Sequence, residues 1–373
     1  MKPEIEQTSH RDCWCGNKNL SPFSVEYARC PVCETLVAQT GIPDDISHVA
    51  DDETALYGKT YFTTHQSEDY GLPDLPTRAR ADLPERCCHW LERILKYKLP
   101  PGRSLELGSA HGGFVAMMRR AGFEATGLDL SPWLVEFSAR TFGVPILCGM
   151  VEKQPIPPAS LDVLCLFDVL EHLPDPEKTM AHCLGLLKPG GFLAVQTPCY
   201  PEGKTREEVV GNEPRFAVQF KPREHIHIFS RKSVKLLFDR LGAPEIAFEE
   251  AIFSHYDMFP FVSRVPLTPN SRESIESALK RTPDGRFMLA LLDAASRAEF
   301  LQRECDKRLV VIDGLKKALD ARESAGAPAP SPEQQKPVER GGTKPARLPK
   351  GPWALRHPRK AIASLFQRSH GKR

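Results

Sequence analysis

The chain has 373 residues, with 50 Lys and Arg against 48 Asp and Glu, so its formal net charge is +2. Apolar residues make up 41% of it and aromatic residues 8%, which argues against a wholly disordered or fibrous chain. The length predicts about two domains, or one large domain with appendages. No stretch of about 20 residues is continuously apolar, and the N-terminus lacks an apolar core, so we expect neither a membrane-spanning helix nor a secretory signal.

The charge is unevenly distributed. Residues 344–373 hold nine Lys and Arg and no acid, which leaves 41 basic against 48 acidic residues in the rest of the chain. Because the body is mildly acidic, we expect no nucleic-acid partner. Residues 323–352 have the Pro/Gly-rich composition of a disordered linker. Residues 353–373 predict either a basic amphipathic helix lying peripherally on an anionic membrane face or a solvated tail.

Eleven cysteines, an odd number without an export signal, favour a reduced, cytoplasmic chain. Within residues 1–40 the cysteines form two close pairs, Cys13 with Cys15 and Cys30 with Cys33. Two such pairs can surround one tetrahedral Zn²⁺ in a zinc knuckle, and four protein ligands would make the metal structural. The first pair is C-x-C where C-x2-C is usual, and four free thiols remain the alternative.

Residues 41–99 read as an irregular connector to about residue 76, followed by a helix at 77–98. Strand and helix patterns then alternate through a domain at 100–260, which predicts an α/β fold with a parallel sheet covered by helices on both faces. After an irregular stretch at 200–224, a helix at 230–241 and a strand near 245–253 complete the sheet. The alternating elements are strands at 104–107, 124–128, 144–147, 161–167 and 192–197, and helices at 112–121, 132–141 and 175–187.

A C-terminal helical extension is predicted at 270–322. Ten positions from Phe287 to Leu319 follow steps of four and three, and nine of them are apolar, with Arg308 the exception. This heptad pattern indicates a long helix in a coiled coil, which would make the protein a homo-oligomer. A single helix packed on the body is the alternative, because two of the apolar positions are only alanine.

The sharpest local signal is the segment Leu105–Phe114, which lies between a predicted strand and a predicted helix and contains Gly108, Gly112 and Gly113. Glycines there let the backbone approach a ligand, and the helix N-terminus offers N–H groups to an anion. Asp129 ends the next strand, where a carboxylate can accept both hydroxyls of a ribose. This pattern fits either NAD or S-adenosylmethionine (SAM).

Longer motifs favour SAM over NAD. The Glu-x-Gly loop at 106–112 and the acidic strand end at Asp129 are followed by the sequences FDVLEHLPDP at 167–176 and LLKPGG at 186–191. In order and spacing, these pieces resemble the class I SAM-dependent methyltransferases, especially the group that includes ubiquinone-biosynthesis O-methyltransferases. The resemblance covers about residues 100–200. It implies a Rossmann-like sheet, SAM as cofactor and methyl transfer as the activity.

The resemblance also implies roles for individual residues. The loop would hold the methionine part of the cofactor, Asp129 the ribose, and Leu130 would lie beside the adenine. Met150 and Val151 occupy the place where the family often has an acid facing the adenine amino group, so that contact would pass to the backbone. Asp168 would face the methyl donor and the acceptor. The loop residues are Glu106, Gly108, Ala110 and Gly112, and Ala110, which replaces a glycine, is expected to keep a negative φ.

Methyl transfer requires alignment of the acceptor and removal of its proton, because the sulfonium is already a good leaving group. Two histidines are candidate bases. His172 follows the fourth strand, and His225 follows the fifth, where such folds build substrate pockets. His172 could instead be a helix-cap residue or support another site residue. For His225, a structural role and a role in the substrate site are both open. His227, which alternates with His225, is expected to be structural.

We therefore expect a SAM-dependent methyltransferase acting on a small-molecule or sugar acceptor, at oxygen. No Asn/Asp-Pro-Pro-aromatic motif ends the fourth strand, which argues against methylation of adenine. The N-terminal Cys pairs and the Glu-His-x-His-x-Phe segment resemble bacterial methyltransferases associated with glycan or natural-product assembly. The alternative is a scaffold that binds SAM without catalysis and recruits partners or a membrane through its knuckle, coiled coil and tail.

Overall fold

The structure is a computed structural model that describes residues 11–40, 49, 51–68 and 71–324. The predicted linker beyond residue 324 and the basic tail at 353–373 lie outside the described residues, as do the first ten residues and most of 41–50. The chain divides after Gln302 into two compact units. Among the described residues, no helix is both long and apolar enough to cross a bilayer.

A seven-stranded sheet forms the centre of the first unit, in the order β10-β11-β8-β7-β4-β5-β6. Strands β6, β5, β4, β7 and β8 run parallel, whereas β11 is antiparallel to β8 and β10 is antiparallel to β11. The strands are β4 (Arg103–Leu107), β5 (Glu124–Asp129), β6 (Ile146–Cys148), β7 (Leu161–Phe167), β8 (Leu187–Pro198), β10 (Glu245–Glu249) and β11 (Asp257–Ser263). The α/β, Rossmann-like prediction is confirmed.

Helices follow the parallel strands and bury apolar residues against the sheet. Their starts obey local rules: Ser131 and Asp175 accept backbone hydrogen bonds at the N-caps of α5 and α6, and a proline follows each cap. Together with the strands they enclose two large clusters of buried side chains. The helices of this part are α3 (Cys88–Tyr97), α4 (Gly113–Arg120), α5 (Pro132–Phe142), α6 (Pro176–Leu186) and α9 (Arg231–Arg240).

A second, four-stranded sheet joins the N-terminal cysteine segment to the body, in the order β1-β2-β3-β9. Each neighbouring pair in it is antiparallel. Its strands are β1 (Ser21–Pro22), β2 (Tyr27–Arg29), β3 (Leu36–Ala38) and β9 (His227–Ile228). The sequence did not predict that residues 11–40 pair with the segment that carries the candidate histidines.

Several predicted elements are wrong in detail. The helix expected at 77–98 is α2 (Leu75–Ala81), a π-helical turn at Leu83–Cys87, and α3. The stretches expected to be irregular contain a π-helix at Tyr61–His65, α1 (Gln66–Glu68), α7 (Arg206–Asn212) and α8 (Pro214–Ala217). The single strand expected near 245–253 is the hairpin of β10 and β11. Strand β11 escaped prediction because it is buried on both faces and has no alternating pattern.

The C-terminal extension is helical, as α10 (Arg272–Leu279) and α11 (Pro283–Ser324). Near its start, α11 buries Met288 and Leu292, whereas Phe287 of the heptad pattern is 75% exposed. The helix face that packs on the body thus contains Met288 and Leu292, each one residue after a position of the heptad pattern. Within the second unit, Ile312, Leu315 and Leu319 of the pattern are exposed. The coiled coil stays a prediction.

Candidate active site

The carboxyl ends of the parallel strands β4, β5, β7 and β8 lie at the same edge of the sheet. The strand order reverses between β4 and β7, since β5 and β6 lie on one side of β4 and β7 and β8 on the other. In open α/β sheets this edge is where ligands bind. We call the loops after β4, β5 and β6 (106–112, 129–131 and 149–151) the cofactor half. The acceptor half is the group of side chains near the ends of β7 and β8: Tyr57, Tyr61, Asp168, Glu171, His172, Glu224, His225 and Asp257.

The glycine loop of the cofactor half is a left-handed turn. Gly108 and Gly112 have φ of 68° and 77°, and a Cβ on either would lie within 2.8 Å of a neighbouring side chain. Ala110 has φ 45°, so the expectation of a negative φ is wrong. Its N–H donates to the Asp129 carboxylate at 2.9 Å, and its carbonyl accepts from the Ser138 hydroxyl at 3.0 Å. These two bonds hold the alanine in a conformation that costs about 1–2 kcal/mol.

Asp129 lies beside this loop and is buried. Its other carboxylate oxygen accepts from the Ser131 backbone N–H at 3.1 Å. Burial raises the pKa of Asp129 to about 6, and hydrogen bonds from the backbone of Ser131, Ala110 and Leu130 oppose a larger rise. A carboxylate has about four lone-pair sites, more than these backbone bonds use, so Asp129 can still accept a hydrogen bond from a ligand hydroxyl.

The remaining predicted cofactor residues lie around this centre. Leu130 and Met150 are half-buried, Val151 is buried, and the Gly149 N–H donates to the Asp129 carbonyl at 2.8 Å, which ties the third loop to the second. Glu106 is buried inside β4, and burial together with the nearby Asp129 raises its pKa well above the usual range. Its Oε2 and the Ser109 Oγ have no hydrogen-bond partner among the described residues.

These observations fit SAM. The left-handed glycines form a cradle that a Cβ would fill, Asp129 offers acceptors for the ribose, and two buried polar atoms lack partners. His111, which sequence reasoning passed over, holds the loop from behind. Its Nδ1 accepts from the Gly113 N–H at 3.0 Å, so its Nε2–H donates to Asp82 at 3.1 Å.

In the acceptor half, both candidate bases are present and close together. The rings of His172 and His225 lie 5.0 Å apart, and one ring nitrogen of each lies within 4.8 Å of a Glu171 oxygen. The His225 Nδ1 lies 2.8 Å from the Gln219 carbonyl, which can only accept, so Nδ1 holds the proton and Nε2 is free to accept one. Burial, followed by the nearby His172 and Lys221, lowers the His225 pKa well below 6.5. His225 is therefore neutral at pH 7.

His172 has a similar arrangement. Its Nδ1 lies 2.9 Å from the Glu224 carbonyl and 2.9 Å from the Tyr57 hydroxyl, and burial lowers its pKa. The Tyr61 hydroxyl donates to the Glu224 carboxylate at 2.7 Å. The segment 51–68 thus folds over the acceptor half. It also reaches the cofactor half, where the Ser131 hydroxyl donates to Asp52 at 3.1 Å.

Three carboxyl groups lie near the ends of β7, β8 and β11. Asp168 has a left-handed backbone, with φ 57°, and its carboxylate is 3.7 Å from the Arg86 guanidinium. Burial and the charge of Asp168 raise the pKa of Glu171 to about 8, although the Thr197 hydroxyl donates to it at 2.9 Å. Burial and the same neighbour raise the pKa of Asp257 to about 10, and neither of its oxygens has a hydrogen-bond partner among the described residues. Asp257 was missed because its strand was missed.

His227 is buried on the neighbouring strand, and burial lowers its pKa to about 3. Its Nδ1 lies 3.2 Å from the Leu173 carbonyl. The structural role of His227 stays a prediction.

The four N-terminal cysteines converge although their spacing is irregular. The sulfurs of Cys13 and Cys33 are 3.4 Å apart, those of Cys15 and Cys30 are 3.5 Å apart, and all four lie within 4.8 Å of one another. Tetrahedral Zn²⁺ with Zn–S bonds of about 2.3 Å would hold sulfurs about 3.8 Å apart. The Asn17 amide donates to the Cys30 sulfur at 3.4 Å, a contact of the kind that orients thiolate ligands. The donor set fits zinc.

Known proteins match the part of the chain that builds this site. Residues 79–243 match the family model described as a methyltransferase domain. Over these residues the chain is similar to methyltransferase domains. A ubiquinone biosynthesis O-methyltransferase of Xanthomonas campestris pv. campestris (strain B100) is 32% identical over 132 residues, which are 31% of this chain and 54% of that protein. The protein of the same description from Methylococcus capsulatus (strain ATCC 33009 / NCIMB 11132 / Bath) is 30% identical over 101 residues, which are 26% of this chain and 43% of that protein.

Among solved structures, the PH0226 protein of Pyrococcus horikoshii OT3 superposes with a TM-score of 0.40 and 18% identity, over 55% of this chain and 95% of that chain. The chain spans about half the length of the curated relatives that it matches. The activity of the whole protein is therefore a proposal.

Proposed function

We propose that the protein is a SAM-dependent methyltransferase that methylates a small-molecule or sugar acceptor at oxygen. The observation that carries this proposal is the position of His225: a buried, neutral imidazole with an unprotonated Nε2, within the acceptor half. Such a group can take the proton of a hydroxyl at neutral pH. The names of the curated relatives, which are O-methyltransferases, support the choice of oxygen.

Bound SAM would supply a methyl group on a positively charged sulfur. The residues that would hold it are Asp129 at the ribose, the backbone of the loop at Gly108–Gly112 at the methionine part, and Leu130, Met150 and Val151 around the adenine. Tyr57 and Tyr61 cover the acceptor half from the N-terminal side, where they would limit the access of water to the bound acceptor. His225 accepts the acceptor proton, and the imidazole of His172 lies beside it, with the two ring centroids 5.0 Å apart.

The test is incubation of the purified full chain with methyl-labelled SAM and a panel of phenols, catechols and sugar nucleotides. We expect labelled product from at least one hydroxyl acceptor, and at least a hundredfold loss of turnover in His225→Ala, since a general base contributes about 10²–10⁴-fold. His182→Ala, which changes a histidine on α6, is the control. Binding of S-adenosylhomocysteine (SAH) without turnover of any acceptor would favour the scaffold.

Three further proposals concern the other parts of the chain. The knuckle is proposed to hold one structural Zn²⁺, which metal analysis of the purified protein tests. The exposed Ile312, Leu315 and Leu319 are proposed to pair with a second copy of the chain, so Leu315→Lys should convert a dimer into a monomer in sedimentation. A cytoplasmic location, with the basic tail at a membrane face, rests on the sequence pattern alone and is tested by binding to anionic vesicles.

A further inference from the structure

The strand that follows the four cysteines pairs with the strand that follows His225. Strand β3 pairs with β9, with Leu36 opposite Ile228 and Val37 opposite His227, and the Ala38 N–H donates to the Ile226 carbonyl at 2.8 Å. The partner strand β9 begins two residues after His225. The backbone that carries this histidine is therefore held as an edge of the knuckle sheet.

Side chains of the cysteine segment hold both ends of the same stretch. Tyr27 is 1% exposed, and its hydroxyl donates to the backbone carbonyl of His225 at 2.9 Å. Trp14, between the first two cysteines, lies against Phe229 with ring centroids 6.5 Å apart, and its Nε1–H donates to the Thr35 hydroxyl at 2.8 Å. Residues 225–229 are thus fixed from the cysteine segment at both ends.

The cofactor half shares a buried apolar cluster with the cysteine segment but, in the described residues, is not tied to it by hydrogen bonds. Within the described part of the chain, no hydrogen bond joins residues 11–40 to residues 103–153. The loops there are held by Asp129, His111 and Ser138 instead. A change in the cysteine segment should therefore reach one half of the site and leave the other unchanged.

The segment 11–40 depends on its cysteines. Thirty residues are too few to build an independent core, and segments of this size are ordinarily ordered by disulfides or a metal. All four cysteines are free thiols, and three of them are buried. With a metal bound, the two cysteine turns and the strands between them become one rigid piece. Without it, β3 loses the structure that holds it against β9.

We propose that the cysteine knuckle is the positioning element of the acceptor half: metal bound by Cys13, Cys15, Cys30 and Cys33 fixes β3, and β3 together with Tyr27 sets the position of His225. Acceptor binding and proton removal would then depend on the metal, whereas cofactor binding would not. The inference builds on the proposed methyl transfer, since that gives His225 its role, but its test needs no turnover.

The experiment compares the zinc-loaded full chain with the chelator-treated chain and with Cys30→Ser. Amide hydrogen exchange is followed at 225–229 and at 107–131, and SAH affinity is measured by calorimetry. We expect exchange at 225–229 to rise at least roughly tenfold on metal loss. Exchange at 107–131 and the SAH dissociation constant should stay within about twofold.

Tyr27→Phe tests the link with the metal in place, and it keeps the proposal falsifiable if Cys30→Ser fails to fold. Loss of one hydrogen bond should raise exchange at 225–229 about fivefold and shift the imidazole ¹⁵N resonances of His225, with zinc content unchanged. Tyr97→Phe is the matched control, because the Tyr97 hydroxyl bonds to Glu249, away from this segment. It should leave the His225 resonances unmoved.

Two results would overturn the proposal: exchange at 225–229 that is indifferent to both metal and Tyr27, or equal loosening of 107–131. If the wild-type chain failed to bind SAH, the proposed function would fail, while the exchange data would still show whether the metal holds the histidine segment.

Discussion

The two halves of the site are built in different ways. The cofactor half comes from consecutive βα turns between residues 106 and 151, and the hydrogen bonds between these turns join residues at most 28 positions apart. The acceptor half joins distant segments: Tyr57 and His172 are 115 positions apart, and Tyr61 and Glu224 are 163 apart. Substitutions in any of the distant segments that build the acceptor half can therefore change it while the cofactor half stays intact.

The sharpest test of the cofactor half is Asp129→Asn. The amide keeps the shape of the carboxylate but loses charge-assisted hydrogen bonds to the ribose, so we expect SAH affinity to fall by about 30- to 100-fold, or about 2–3 kcal/mol. Calorimetry measures the change. Asp239→Asn, on the exposed surface of α9, removes the same charge and should have no effect. Unchanged affinity in Asp129→Asn would remove the basis for dividing the site in this way.

The pH dependence of SAH binding should be set by Asp129 in the cofactor half. The pKa of Asp129 is raised to about 6, so its carboxylate takes up a proton as the pH falls through 6 and can no longer accept two ribose hydroxyls. We expect affinity to be constant above pH 7 and to fall up to about tenfold per pH unit below 6. Calorimetry between pH 5 and 8 checks this. A flat profile in the wild type would contradict it, and Asp129→Asn should be flat.

In the acceptor half, Glu171→Gln should stabilise the protein. Glu171 is 1% exposed, and its pKa of about 8 in the folded state is above the usual 4.5. Between these values the folded state keeps a proton that the unfolded state releases, so wild-type stability falls as the pH rises from 4.5 to 8. Glutamine does not ionise, so it avoids the free-energy cost of a buried charge, and its side-chain oxygen can still accept a hydrogen bond from the Thr197 hydroxyl. We expect a gain on the order of 1 kcal/mol at pH 8 and less at pH 5.

Urea denaturation at the two pH values measures this gain. Glu152→Gln is the matched control, because Glu152 also accepts from a threonine hydroxyl, that of Thr179, but is only half-buried. SAH affinity should stay within about twofold in both variants. A weakened cofactor site in Glu171→Gln would show that the two halves are coupled through β7.

The smallest effect is expected from Ala110→Gly. Glycine adopts the φ of 45° without the steric cost of a Cβ, so the free energy of unfolding should rise by up to about 1 kcal/mol. Ala159→Gly is the control, because Ala159 has φ 49° in a turn outside the site. Thermal denaturation should show a similar gain for both, and only Ala110→Gly should alter SAH affinity. A loss of stability in Ala110→Gly would mean that the strain is offset by contacts of the methyl group.

The sequence by itself determined the parallel sheet, the glycine turn and Asp129, because each depends on residues close together in the chain. An apolar strand, a turn that needs glycine and a capped helix leave a local pattern that survives without knowledge of the fold. Ala110 marks the limit of that inference. Its backbone conformation is set by hydrogen bonds to Asp129 and Ser138, which the turn sequence does not contain.

The tertiary structure alone decided how the acceptor half is assembled. His172 and His225 could be named from their motifs, but their neutral state comes from burial, which lowers the pKa of both. The carbonyls of Glu224 and Gln219 accept from Nδ1 and so fix the tautomer. Asp257 depends on a strand without alternating polarity, and the pairing of β3 with β9 joins residues about 190 positions apart. Such contacts form because the folded chain buries its surfaces together, and no short stretch of sequence records which surfaces will meet.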